Sequence, residues 1–223
     1  MIPYRSSQKR KGYATRTFPW VTVALILMNV AVFFYEVTLP AAQLKDFFKT
    51  FALVPGHFRP LGLITGLFLH GGWLHLIANM LYLWVFGDNV EEKMGRHSFL
   101  NFYLASGIIS FLAQVAFDPG SSLPLIGASG AIAGILGIYL RLFPKSHVTV
   151  LVPIFIFLRR MILPAWLVLG FWFVLQLLEG LLSLQQLEAG AASSGGIAFF
   201  AHIGGFLFGI LVGPLFVKRK KRG

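Results

Sequence analysis

The sequence predicts an all-α membrane protein in which six transmembrane helices form one bundle. Of its 223 residues, 57% are hydrophobic and only 12% are charged, whereas a soluble domain of this size carries about 25% charged residues. Too few polar side chains are present to cover a water-facing surface, so the composition indicates an integral membrane protein. The number of spans follows from six separate apolar segments and from a one-sided distribution of lysine and arginine.

Apolar segments long enough to span a bilayer occur six times along the chain. The predicted spans cover residues 18–39, 70–88, 99–117, 123–143, 163–181 and 197–217. Residues 41–62 are too polar to span, and we expect a short amphipathic helix there, lying in the membrane interface. Residues 148–162 are apolar but contain Pro153 and the pair Arg159 and Arg160, so we expect this segment at the interface as well. We expect Glu36, near the outer end of the first span, to reach the interface, and Glu91 and Glu92 to lie in a solvated loop after the second span.

Six spans put both chain termini on the same side of the membrane. On that side the chain carries 16 Lys and Arg residues, against three on the other side, which predicts that both termini are cytoplasmic. We therefore expect a basic tail over residues 1–17, a membrane domain over 18–217 and a second basic tail over 218–223. Because the basic clusters flank spans, the net charge of +11 indicates contact with lipid headgroups and not with nucleic acid.

Cysteine is absent from the chain, which excludes disulfides, thiolate nucleophiles and sulfur-bound metal sites. The first apolar segment lacks a signal-peptide cleavage site, so we interpret it as a retained anchor. Short loops and the lack of a targeting extension favour a prokaryotic plasma membrane. We expect no cofactor and no metal, and the sequence does not indicate an oligomeric state.

The fourth span carries a single hydroxyl in a glycine-rich setting. Ser129 lies between Gly127 and Gly130, and Gly134 and Gly137 extend a smooth helix face that lets another backbone come close. A lone serine near the start of a membrane helix commonly bonds its own backbone. We nevertheless take Ser129 as the candidate reactive group, with Gly127 and Gly130 shaping the structure beside it.

The sixth span offers the matching partner. His202 lies there among Gly204, Gly205 and Gly209, so the two glycine faces can pack against each other. His202 and Ser129 are each six residues below the outer end of their segment, at most about 9 Å deep. A lone histidine in a span is more often structural, and it is the shared depth that indicates a site.

Two further polar residues reach the same layer from the second span. His75 and Asn79 lie about 7 to 14 Å below its outer end, and their i, i+4 spacing puts them on one helix face. A serine hydroxyl needs a base to become a nucleophile, and a neutral histidine is one. The backbone N–H of Ser129 and the side chains of His75 and Asn79 would supply hydrogen-bond donors for an oxyanion. Because no aspartate lies at this depth, we predict a Ser129–His202 dyad and not a triad.

Three segments, in this order, resemble the rhomboid intramembrane serine proteases. They are HGGWLHLIANMLYLWVFGDNVEEKMG, GASGAIAGILG and AHIGGFLFG, and the resemblance covers residues 65–213. It implies a rhomboid-like bundle of six helices whose active site opens to the outside through a water-filled cavity. By this resemblance Ser129 is the nucleophile, His202 is the general base, and His75 and Asn79 are oxyanion-side residues. His70 matches a further histidine of the family with a structural role.

The resemblance implies an intramembrane serine endopeptidase that cleaves transmembrane segments of membrane proteins. Substrates would enter laterally between the second and fifth spans, where Phe171, Trp172 and Phe173 either form a gate or face lipid. Some members carry an aromatic ring one turn after the serine, a place taken here by Ala133. The sequence therefore leaves open which group orients His202.

Other functions remain compatible with the same residues. Ser129, His202, His75 and Asn79 would also suit a polar path through a small transporter or channel. A metal site built from His70, His75 and His202 is a second alternative, although it lacks a neighbouring carboxylate and an H-E-x-x-H pattern. A third is a protein that binds client helices without cleaving them.

Overall fold

The computed structural model describes residues 2–7, 17–154, 157–188 and 198–218, and these residues are mostly helical. The helices are α1 (Trp20–Thr38), α2 (Ala41–Phe51), α3 (Gly62–Thr65), α4 (Trp73–Met94), α5 (Arg96–Phe117), α6 (Ser129–Leu142), α7 (Ala165–Glu188) and α8 (Phe199–Leu211). Short 3-10 turns lie at Pro55–His57, Gly66–Phe68 and Gly213–Phe216. The strands are β1 (Ile2–Ser7), β2 (His147–Ile154) and β3 (Phe157–Pro164).

Each predicted span contains one long or apolar helix, but the lengths differ. Among the described residues, α1 and α5 are long and apolar enough to cross a membrane, and α4 joins them if it counts as one span with residues 62–68. That pair is bent by 95° at the break before α4. Helices α6 and α8, and residues 165–179 of α7, are shorter apolar segments. The count of six spans therefore stays a prediction.

Helix α6 forms the centre of the bundle. Its residues 130–139 are all buried, and no side chain caps its first turn. A Cβ atom added to Gly209 would overlap the carbonyl oxygen of Gly134, and one added to Gly205 would overlap that of Gly130. Helices α6 and α8 are thus in direct backbone contact, which the glycine faces of the sequence led us to expect.

A three-stranded antiparallel sheet with the order β1-β2-β3 is a feature that the sequence analysis did not predict. In the β2–β3 hairpin His147 pairs with Pro164 and Ile154 pairs with Phe157. The apolar segment expected at the interface is therefore a β-hairpin, and part of the segment expected as an N-terminal tail is strand β1. Residues 8–16 and 219–223 of the two basic tails lie outside the described residues.

The end of α4 corrects one expectation. We expected Glu91 and Glu92 in a solvated loop after the second span, but α4 continues to Met94 and only 3% of Glu91 is exposed. The Glu91 carboxylate accepts bonds from the backbone N–H groups of Val21 and Thr22 and from the Thr22 hydroxyl, at 2.8 to 3.1 Å. The carboxylate thus binds the free N–H groups at the start of α1.

Replacing Thr22 by valine should destabilise the fold by about 1.5 kcal/mol, because it removes a hydroxyl hydrogen bond to a buried carboxylate while keeping the side-chain shape. Denaturant unfolding in detergent micelles would measure the change. The Thr38→Val control loses a hydroxyl bond to Tyr35 at the exposed end of the same helix, so its stability should stay close to wild type. Equal losses in both variants would contradict this role of Glu91.

Candidate active site

The loop before Ser129 is held in place by backbone hydrogen bonds. Leu125 and Leu53 exchange N–H···O=C bonds of 2.7 and 3.3 Å, and the N–H of Gly127 donates to Gly66 over 2.8 Å. Gly127 has φ +112°, a conformation that side chains rarely adopt, and a Cβ there would lie 2.7 Å from the His75 ring. This turn sets Ser129 as the first residue of α6.

His202 reaches Ser129 from α8. Its Nε2 lies 2.8 Å from Ser129 Oγ, within the usual range for a hydrogen bond that involves a hydroxyl. The contact sits one turn before Gly205, where α8 touches the α6 backbone, so the close helix packing sets this distance. Both side chains are half-buried.

The other nitrogen of His202 contacts a residue that the sequence analysis missed. Nδ1 lies 2.5 Å from Oε1 of Gln176, which is buried on α7, and Gln176 Nε2 donates to Glu179 over 3.1 Å. The Trp172 ring lies 6.0 Å from the His202 ring, measured between centroids. The available signal was a glutamine inside an apolar span, since polar residues at such positions mark functional sites by default.

His75 and Asn79 lie next to Gly127, two residues before the serine. The His75 ring and, at 3.6 Å, the Asn79 amide are the neighbours that a Cβ on Gly127 would meet. Asn79 Nδ2 lies 3.1 Å from His70 Nε2, and His70 Nδ1 lies 3.3 Å from the Phe68 carbonyl. The amide donates to Nε2, so Nδ1 carries the proton of His70 and donates to Phe68. His70 thereby fixes the Asn79 side chain.

Comparison with known protein families covers most of the chain. The model of the rhomboid domain matches residues 57–219. The chain belongs to the rhomboid family. The predicted resemblance and the predicted fold class, a helical membrane bundle, are thereby confirmed.

Curated rhomboid relatives come from bacteria and from mitochondria. The mitochondrial rhomboid protein 1 of Saccharomyces cerevisiae is 32% identical over 85% of this chain and 51% of its own length. Rhomboid protease GluP of Bacillus subtilis is 47% identical over 34% of this chain and 14% of its own. The mitochondrial presenilin-associated rhomboid-like protein A of Danio rerio is 30% identical over 68% of this chain and 36% of its own length. The chain thus spans less than two thirds of the length of these relatives.

Glu36 of this rhomboid protein corrects a second expectation. We placed it near the outer end of the first span with its carboxylate reaching the interface, but only 2% of the residue is exposed. The carboxylate accepts the backbone N–H of His70, with its oxygens at 3.2 and 3.3 Å. Glu36 therefore ties α1 to the sharp bend that precedes α4, the helix of His75 and Asn79.

Replacing Glu36 by leucine should lower the unfolding free energy by about 2 kcal/mol, because it leaves the buried N–H of His70 without an acceptor. Glu36→Gln keeps an acceptor oxygen, so we expect a loss of less than about 1 kcal/mol. Unfolding of both variants in the same detergent gives the comparison. A glutamine variant that is as unstable as the leucine variant would contradict the assignment.

The metal-site alternative finds no support in the geometry of this rhomboid protein. Within the described ranges, no group of three or more His, Cys, Asp or Glu side chains is placed to hold a metal ion. His70, His75 and His202 are all in those ranges, and the hydrogen bonds of His70 and His202 go to Asn79, Phe68, Ser129 and Gln176.

Proposed function

We propose that this rhomboid protein is a serine endopeptidase that cleaves transmembrane segments of membrane proteins. The observation that carries the proposal is the 2.8 Å contact between Ser129 Oγ and His202 Nε2. A serine hydroxyl hydrogen-bonded to an imidazole is the arrangement that activates it as a nucleophile. Membership of a family that includes a relative named as a protease supports the same function.

In the proposed reaction, His202 takes the proton of Ser129 as the oxygen attacks the carbonyl carbon of the scissile bond. A tetrahedral oxyanion forms, and His202 then gives the proton to the leaving amine, which leaves an acyl-enzyme on Ser129. Water attacks the ester with His202 again acting as base, and the serine is regenerated. No cofactor takes part in this scheme.

We assign the oxyanion donors to the start of α6 and to α4. Ser129 is the first residue of α6, so its N–H belongs to the four that have no partner within the helix, and the helix dipole adds positive potential there. His75 and Asn79, which flank Gly127, are the proposed side-chain donors. Each donor of this kind lowers a barrier by about 3 kcal/mol.

Substrates of this proposed enzyme are helices in the bilayer, and their carbonyls are hidden in helical hydrogen bonds. A segment must unwind locally before a carbonyl reaches Ser129, so small or helix-breaking residues near the cut site should favour cleavage. We propose lateral entry between α4 and α7, with Phe171, Trp172 and Phe173 at the gate. Phe171 is exposed, while Trp172 and Phe173 pack against Phe206.

The topology and location belong to the same proposal. We infer six spans with both termini in the cytoplasm, a division into tails 1–17 and 218–223 around a domain over 18–217, and a prokaryotic plasma membrane. The 16 Lys and Arg residues on the side of the termini, against three on the other side, support this orientation. Attaching a reporter that is active only in the cytoplasm to each terminus tests it.

Reaction with a fluorophosphonate distinguishes this function from its rivals. The purified protein, incubated with a panel of single-span substrates, should cleave at least one of them and should be labelled on Ser129, because the probe needs an activated serine. A transporter, a channel or a protein that only binds client helices would remain unlabelled. Absence of both labelling and cleavage would overturn the proposal.

A further inference from the structure

Gln176 is the side chain that contacts His202 on the edge of the ring turned away from Ser129. It lies on α7 with 8% of its surface exposed, and its Oε1 lies 2.5 Å from His202 Nδ1. A buried amide in an apolar helix is costly unless its polar atoms are hydrogen-bonded. Both ends of the amide have a partner here, because Nε2 donates to Glu179 Oε2 over 3.1 Å.

The two partners determine which way round the Gln176 amide lies. The Gln176 NH₂ group donates to Glu179, so the carbonyl oxygen at the other side of the amide faces His202. An amide oxygen only accepts, so the proton of the neutral His202 ring is on Nδ1. The lone pair of Nε2 then points at the Ser129 hydroxyl.

We propose that Gln176, held in place by Glu179, is a positioning residue that selects the tautomer of His202 and fixes the orientation of its ring. The catalytic part of this inference rests on the proposed function, since a general base acting on Ser129 needs its lone pair on Nε2. The aspartate of a Ser-His-Asp triad has the same orienting role. Here a neutral amide supplies the acceptor and adds no charge next to the ring.

The contact also links three helices at one point. Ser129 belongs to α6, His202 to α8 and Gln176 to α7, so the line from Glu179 through Gln176 and His202 to Ser129 exists only while α7 stays packed against α8. The sequence separation of 26 residues between Gln176 and His202 shows that this is a tertiary contact. A local helical motif would not produce it.

Gln176→Met is the decisive variant, because methionine keeps an unbranched side chain of similar length and removes both the oxygen acceptor and the NH₂ group. We expect kcat for a single-span reporter to fall about tenfold with KM unchanged, the effect of losing about one neutral hydrogen bond. In Glu179→Gln the new amide also donates, so the Gln176 amide can lie either way round. There we expect a smaller fall in kcat, of about threefold.

Nitrogen-15 NMR of the histidine rings supplies a readout that a purely structural role would not change. The His202 signals, assigned by their loss in His202→Ala, should report a protonated Nδ1 in the wild-type protein and a mixture of tautomers in Gln176→Met. Leu178→Ala is the matched control, since Leu178 lies on the same helix with 52% of its surface exposed. Its kcat and its tautomer should both equal those of the wild type.

The outcomes separate the two proposals. A Gln176→Met variant with wild-type kcat and an unchanged tautomer would overturn the positioning role, as would a change in KM alone. If the wild-type protein cleaves nothing and is not labelled, the proposed function fails. The NMR measurement still tests the positioning role in that case, because it needs no turnover.

Discussion

Replacement of Ser129 by alanine is expected to lower kcat/KM for a single-span reporter by at least about 10³-fold, since the nucleophile of the acyl-enzyme is lost. The residual rate would come from substrate binding and oxyanion donors alone. Cleavage of a reporter in liposomes, quantified over several hours, measures the effect. Fluorophosphonate labelling should disappear in the same variant.

The fold should survive this substitution. Ser129 is the first residue of α6, where alanine is readily accommodated, and the turn at Gly127 does not depend on the hydroxyl. The loss of the bond to His202 should cost about 1 kcal/mol of stability. Ser121→Ala is a matched control, because Ser121 lies in the preceding loop and its hydroxyl accepts the N–H of Leu123. Undiminished cleavage by Ser129→Ala would refute the mechanism.

Replacement of Gly209 by valine is expected to destabilise the bundle by more than about 3 kcal/mol, at or beyond the upper end for overpacking a core. A Cβ at this position overlaps the backbone oxygen of Gly134, and a backbone cannot rotate away as a side chain can. Helices α6 and α8 would have to separate, and Ser129 and His202 with them. The unfolding free energy, measured in mixed micelles, and the fluorophosphonate labelling of the same sample should therefore decrease together.

Gly170→Val is the matched control for this prediction. A Cβ on Gly170 has no atom within 4 Å, and the residue lies in α7, which is also an apolar helix. Its stability should stay within about 1 kcal/mol of the wild type. Comparable losses in both variants would show that valine itself, and not the backbone contact, causes the instability.

Much of the fold could be predicted because it depends on local patterns. Apolar runs mark the helices, so the predicted segments and the observed helices differ mainly at their ends, as with α4, which extends beyond residue 88 to Met94. Gly130, Gly134, Gly205 and Gly209 indicated a close approach of two helices, and the structure has α6 and α8 in backbone contact there. That contact brings Ser129 and His202 together.

What could not be predicted depends on pairs of residues that are distant in the sequence. Glu91 is 69 residues from Thr22, and Glu36 is 34 residues from His70. The sequence predicts that an acidic residue near the end of a span is solvated, because it does not show which backbone N–H groups the carboxylate binds. Gln176 was missed for the same reason.

The sheet was missed because its strands resemble a membrane segment in composition. Residues 148–152 read Val-Thr-Val-Leu-Val, a run rich in β-branched residues that favours a strand, but its hydrophobicity alone does not distinguish a strand from a helix. Strand β1 has a weaker signal still, since it forms only by pairing with β2.

The β-hairpin before α7 fixes the start of that helix. Strand β3 runs into α7 without a linker, and the N–H groups of Ala165 and Trp166 bind the carbonyls of Ser146 and Pro144. Gln176 lies about 16 Å further along the helix axis, so a tilt of about 5° at the hairpin would move it by about 1.4 Å. A displacement of this size away from His202 would take Gln176 Oε1 out of hydrogen-bond range of Nδ1. If α7 of this rhomboid protein tilts outward to admit a substrate, Gln176 would thus lose its contact with the His202 ring. The ring would be aligned again only when α7 returns.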